Sequence, residues 1–219
     1  MLRAISTRAR NGWMLLALLP GAMLQARYDG ASAFSNLVGA LLFAAVIDTA
    51  VALLRKRSAS LLRDQCVLLN AALVALWLPI TLPLWAIASA VLAATLLACM
   101  FDGRQSGSPF HAAMVGCAFA LLIVPHALAP PRNDTTPVWI ATAYASAGIA
   151  LVVGRCIRWQ VPLGMLAGAG IIALSSRFVG GLQMHAIPIE LLPVFALTTF
   201  FVATDASSGC VLPRARLLF

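Results

Sequence analysis

Apolar residues in this chain fall in long blocks, separated by short polar, basic or proline-rich stretches, with neither a one-sided helical stripe nor strand alternation. With flanks, such blocks reach the roughly 17–25 residues a helix needs to cross a hydrocarbon layer. The pattern predicts about eight such helices, at 11–27, 35–54, 64–77, 84–101, 111–127, 138–153, 161–175 and 187–204. The third turns sharply into the fourth at Pro79-Ile80-Thr81-Leu82-Pro83. Connections are short, and no linker is long enough to separate domains. The expected architecture is therefore all-α: one integral membrane domain over 1–219, a polytopic helix bundle.

Composition sharpens this picture. The chain is 62% hydrophobic and 10% charged, with a mean hydropathy of +0.95, and so lacks the charged surface of a soluble domain. Arg3, Arg8 and Arg10 ahead of the apolar run at 13–24 imitate a signal peptide. Pro20 interrupts that run and further membrane segments follow, so a first membrane helix is expected. The formal net charge of +8 does not imply nucleic acid, because the basic residues lie between apolar blocks and form no stripe. Placing the N-terminus in the cytoplasm puts Arg3, Arg8, Arg10, Arg55, Lys56, Arg57, Arg63, Arg104, Arg155, Arg158, Arg214 and Arg216 on one side, twelve of the 15 cations. Only Arg27, Arg132 and Arg177 fall on the other. This asymmetry follows the positive-inside rule and puts both termini in the cytoplasm of a bacterial inner membrane. Trp13, Trp77, Trp85, Trp139 and Trp159 all fall near segment ends, where indole rings settle at headgroups.

Few residues offer chemistry. Asp48 lies inside the second apolar block, where a carboxylate costs roughly 2.5–3.5 kcal/mol on insertion scales. It faces the bundle interior or an ion path, or else reaches the interface beside Arg55 and Lys56 about two turns on. Glu190 and Asp205 bracket the last segment; Asp205, at a helix C-terminal end, needs a compensating partner such as Arg214 or Arg216. Ser108 is a candidate N-cap and Pro109 a candidate helix start, and a helix N-terminus there is suited to an anionic or carbonyl group. His111, His126 and His185 have no metal-ligand spacing, and the five cysteines form no C-x-x-C pair, so no metal site is expected. Gly164, Gly168 and Gly170 give one helix a small-residue face suited to close packing. The loop Ala129-Pro130-Pro131-Arg132-Asn133-Asp134-Thr135-Thr136-Pro137 reads from physics alone as a turn.

Several segments in one order carry a family resemblance. They are Pro20-Gly21 in the first helix, the basic run Leu54-Arg55-Lys56-Arg57-Ser58 and the proline hairpin at 76–83. Next come Ser108-Pro109-Phe110-His111-Ala112-Ala113-Met114, then Ile157-Arg158-Trp159-Gln160-Val161-Pro162-Leu163. Last is Phe200-Phe201-Val202-Ala203-Thr204-Asp205 followed by Arg214-Ala215-Arg216-Leu217. Together they resemble the membrane D subunit of Rnf-type electron transport complexes, a family related to the B subunit of sodium-pumping NADH:quinone reductases. Compared with that family the chain looks shortened and divergent, ending before its last helices.

The resemblance implies a membrane subunit that passes electrons through flavin, coupled to ion movement, as a component of an ion-translocating oxidoreductase. Its expected partners are other membrane subunits and a periplasm-facing flavoprotein. The family carries FMN on a threonine of an outer loop, and the matching position is Thr136. Asn133-Asp134-Thr135-Thr136 stands there in place of a Ser/Thr-Gly-Ala-Thr-like element, and an acid beside the acceptor repels an incoming phosphate. Ser108 and His111 stand where the family has asparagines, and are carried over as cofactor-binding candidates; a non-covalent flavin is the alternative cofactor. Asp48 stands where members can carry an intramembrane acid. Two other functions are compatible with the chain: a cofactor-less scaffold in the same complex, and a small-molecule permease with Asp48 on its path.

Overall fold

The computed structural model describes residues 7–54, 65–101, 111–124, 136–178 and 191–204. Among them are eight α-helices and no strand: α1 (Thr7–Asp29), α2 (Ala31–Leu54), α3 (Cys66–Trp77), α4 (Leu84–Phe101), α5 (Ala112–Ile123), α6 (Thr136–Val153), α7 (Gln160–Phe178) and α8 (Leu192–Leu197). The last runs on into a π-helical turn, Thr198–Val202. These elements match the predicted segments to within a few residues, and α4 matches its segment at both ends. By length and composition α2 is the one described helix long and apolar enough to cross a membrane unaided; the others qualify only as shorter apolar helices or not at all. The chain divides into two compact units, Met1–Pro131 and Arg132–Phe219.

In the first unit, α1 and α2 form a hairpin joined by Gly30 alone, whose φ of 79° is a left-handed conformation glycine adopts without strain. The Ser32 hydroxyl donates to the Asp29 carbonyl at 3.2 Å and closes the joint. Pro20, expected to interrupt the first apolar run, lies within a continuous α1. Membrane helices tolerate proline because neighbouring groups satisfy the freed carbonyl.

α3 is the centre of this unit. Val67 and every residue from Leu69 to Leu76 are buried, and the helix packs on α1, α2, α4 and α5. A helix apolar all round but for Asn70 belongs in a core. Its 12 residues rise only about 18 Å, short of the ~30 Å hydrocarbon layer. The chain reverses after it through the proline hairpin, where the Leu82 N–H donates to the Pro79 carbonyl at 3.2 Å.

α4 and α5 approach closely at Gly116, where an added Cβ would lie 2.5 Å from the Ala90 carbonyl oxygen and 3.0 Å from Ala94 Cβ. Here the small-residue contact forms on α5 and not on α7, as the glycine spacing suggested: Gly168 and Gly170 have no described atom within 4 Å. Leu166 and Ile171 beside those glycines are exposed as well.

In the second unit, α6 packs on α8 and on the π turn. α6 ends in a Schellman motif: the Cys156 N–H donates to the Leu151 carbonyl at 2.9 Å and the Arg155 N–H to that of Val152 at 3.0 Å. Arg155 takes the left-handed position with φ 55°. The π turn carries Phe200 and Phe201 inward. Phe201 is fully buried and meets the fully buried Tyr144 edge-on, with ring centroids 6.5 Å apart and planes at 79°. Phe200 lies over Gly148 so closely that a Cβ there would overlap the Phe200 ring and its own Cβ. Gly148→Ala is therefore expected to destabilise the chain by about 2–3 kcal/mol through overpacking. Thermal unfolding in detergent checks this, and adding Phe200→Ala should recover about 1–2 kcal/mol of coupling.

Candidate functional site

The buried residues of α2 are Asn36, Ala40, Ala44, Asp48 and Ala52, one every four residues. This spacing keeps them on one slowly drifting face, turned into the unit. Asp48 is 0% exposed on that seam. Of the two placements the sequence left open, interior and interface, the structure has the interior one. The same unit also buries Asn11 on α1, Asn70 on α3, Thr95 on α4 and His111 at the start of α5. The Thr95 hydroxyl donates to the Val91 carbonyl at 2.8 Å, and the Asn70 amide to the Cys66 sulfur at 3.7 Å. Several polar side chains are thus buried in one unit whose walls are otherwise alanine, leucine and valine. A low-dielectric surround of this kind makes every charge and dipole in it count for more.

His111 is the N-cap of α5, with extended backbone and its carbonyl accepting from the Val115 N–H at 3.2 Å. This corrects the expected helix start. The cap position belongs to His111, and the helix begins at Ala112. Ser108 and Pro109 lie outside the described residues. Asp48 and His111 fall in the same unit, on helices that both pack against α3 and α4. Thr136 is the first residue of α6 in the other unit, followed by the buried Pro137. Asp205, Glu190, His126, His185, Arg214 and Arg216 lie outside the described residues.

Two features were missed. Asn70 stands in an apolar stretch, and an amide amid leucines and alanines is a signal that carboxylates and histidines overshadowed, while Asn11 and Asn36 lie at the polar edges of theirs. The π turn has no comparable signature, though Thr198-Thr199-Phe200-Phe201 contains its cause. The Thr198 hydroxyl donates back to the Val194 carbonyl at 2.7 Å and Thr204 to Phe200 at 2.5 Å, competing with the regular ladder. The Ala203 N–H then reaches five residues back to the Thr198 carbonyl at 2.9 Å. Thr199 is fully buried, and its hydroxyl oxygen has no hydrogen-bond partner among the described residues. Single-turn π elements inside helices are frequent at functional sites.

A sequence model of the NQR2, RnfD, RnfE family matches residues 1–139 and 132–219. A protein of Marinobacter nauticus is 26% identical over 94% of this chain and 77% of its own length. One of Vibrio cholerae is 24% identical and one of Haemophilus influenzae 23%, each over 94% of this chain and 80% of the relative. All three are named as the D subunit of an ion-translocating oxidoreductase complex. The Marinobacter alignment runs over 272 positions against this chain's 219 residues, so that relative carries internal segments with no counterpart here. The two family matches overlap only at 132–139, the stretch that holds Thr136.

Proposed function

This chain belongs to the NQR2, RnfD, RnfE family, and from that premise we propose that it is the D-type membrane subunit of an Rnf-like ion-translocating oxidoreductase complex. The observation that carries the reading is a family match running from the first residue to the last, joined by relatives named as that subunit over 94% of the chain. The bundle lies in the bacterial inner membrane as a polytopic protein with both termini in the cytoplasm, in keeping with twelve of 15 cations on one side. Its partners are the other membrane subunits and a periplasm-facing flavoprotein.

Within the complex the chain helps electrons cross by way of flavin. FMN joined to a threonine through its phosphate would supply the electron carrier. Thr136 suits the attachment in two respects: it offers a hydroxyl, and it opens α6. The first-turn N–H groups and the positive end of that helix favour a phosphate. Pro137 costs nothing there, because an N–H at that position would have no intrahelical partner. Asp134, two residues before, opposes the same charge. Ser108 and His111 are the candidates for contact with a non-covalent flavin. Asp48 and Asp205 are the acids proposed for the ion path or for holding the bundle.

A second reading, a scaffold without flavin, draws on Asp134 and on the division of the family match into two pieces that meet at 132–139. Both readings keep the chain in the complex. Deleting its gene should abolish redox-driven ion uptake by inverted membrane vesicles, and a tagged copy should restore it and retain other membrane subunits on purification. Unchanged redox-driven uptake in the deletion strain, with saturable small-molecule uptake by the purified chain alone, would establish a permease instead.

A further inference from the structure

A cleft of about 680 Å³ opens between α1, α2 and α3. That volume is in the range of roughly 300–1,000 Å³ typical of small-molecule sites. Its lining is almost wholly apolar, with Gln65 as the polar exception. Along α1 it extends from Ala9 to Ala22, a rise of about 20 Å. That is comparable with one leaflet, half of a ~30 Å hydrocarbon layer. Trp13, Leu16 and Leu19 on its wall are 55%, 56% and 50% exposed, so it is open along its side and not sealed.

The Gln65 end is the unusual one. Gln65 holds a left-handed backbone, φ 57°, and its side-chain oxygen is buried with no hydrogen-bond partner among the described residues. That oxygen lies over Gly12, where an added Cβ would come within 2.9 Å of it. A buried amide oxygen left unmatched is unfavourable, and a ligand donor reaching it would offset that cost. The sequence on either side of this end is basic. Arg8 and Arg10 flank Ala9 on α1, each one ~3.8 Å Cα step away. The segment leading to Gln65 carries Arg55, Lys56, Arg57 and Arg63 against a single acid, Asp64.

We infer that the cleft holds one acyl chain of an anionic phospholipid, a phosphatidylglycerol, from the leaflet on the side of the N-terminus. Its phosphate is drawn by the basic first turn of α1. A glycerol hydroxyl donates to Gln65 Oε1, and the acyl chain runs down past Leu19 toward Ala22. The inference rests on the membrane placement proposed above.

The test uses the full chain with Trp77, Trp85, Trp139 and Trp159 changed to Phe, leaving Trp13 as the reporter. It is placed in phosphatidylcholine vesicles containing graded amounts of brominated phosphatidylglycerol or brominated phosphatidylcholine. Half-maximal quenching of Trp13 should need about fivefold less of the anionic lipid, a preference of the size one charge contributes near a membrane surface. Arg10→Gln and Gln65→Leu should each remove that preference. Equal quenching by the two lipids overturns the inference, while quenching by neither overturns the membrane placement itself. If the reporter chain does not fold, native mass spectrometry of the unsubstituted chain replaces it. A bound phosphatidylglycerol that Arg10→Gln loses supports the inference, and its absence overturns it. Trp13 protected from both lipids only in the assembled complex would assign the cleft to a neighbouring subunit, and would also overturn it.

Discussion

Thr136→Ala is expected to leave the purified chain dark under ultraviolet light in a denaturing gel, where the unsubstituted chain, co-expressed with a flavin transferase, gives a fluorescent band. A phosphoester survives denaturation, so the band reports a covalent link and no other form of binding. The alanine removes the hydroxyl, together with the γ-methyl, at the first position of α6. Ile140 and Tyr144, the buried side chains further along α6, keep their identity. The fluorescence loss should be complete, and redox-driven ion uptake should fall with it. Dark bands from both proteins would show that this chain carries no covalent flavin under those conditions. Intact ion uptake by Thr136→Ala would then favour the scaffold.

The second large effect is expected at Asp48. Asp48→Asn keeps the shape of the side chain and removes the charge from a position that is 0% exposed. Burying that carboxylate costs roughly 2.5–3.5 kcal/mol on insertion scales, a cost that the asparagine variant does not carry. Redox-driven ion uptake should drop at least tenfold, about 1.4 kcal/mol on the barrier, with the complex still assembled. The opposite pattern, uptake preserved and stability down by several kcal/mol, would make Asp48 a structural acid held by a partner charge. The two measurements therefore separate the roles proposed for this residue.

Helix positions were legible in this sequence because they depend on one strong signal, the length of apolar blocks. Proline pairs such as Pro79 and Pro83 then marked the turns. Which face of each helix turns inward was less legible. α2 is apolar nearly all round, and only the spacing of Asn36, Ala40, Ala44 and Asp48 separates its buried seam from Leu42, Val46 and Leu53 outside. Glycine spacing pointed to α7, yet the tight contacts fall at Gly116 and Gly148, single glycines whose importance depends on what lies opposite. The burial of Asn70 and Thr199 also escaped, because it depends on elements packed against them from far away in sequence. Asp48 was found readily, since a charge in an apolar block is conspicuous whatever the fold.

Gly30 also bears on how the protein is made. In the membrane placement proposed above, one residue between α1 and α2 leaves only the side chains around the tip to reach the far side of the bilayer at this corner. Arg27 and Asp29 are the charges there, one of each sign, so the tip crosses close to neutral. Neither helix can complete its passage while the other waits in water, since the joint has no slack. On that placement the pair enters the bilayer together, tip first, as a single hairpin.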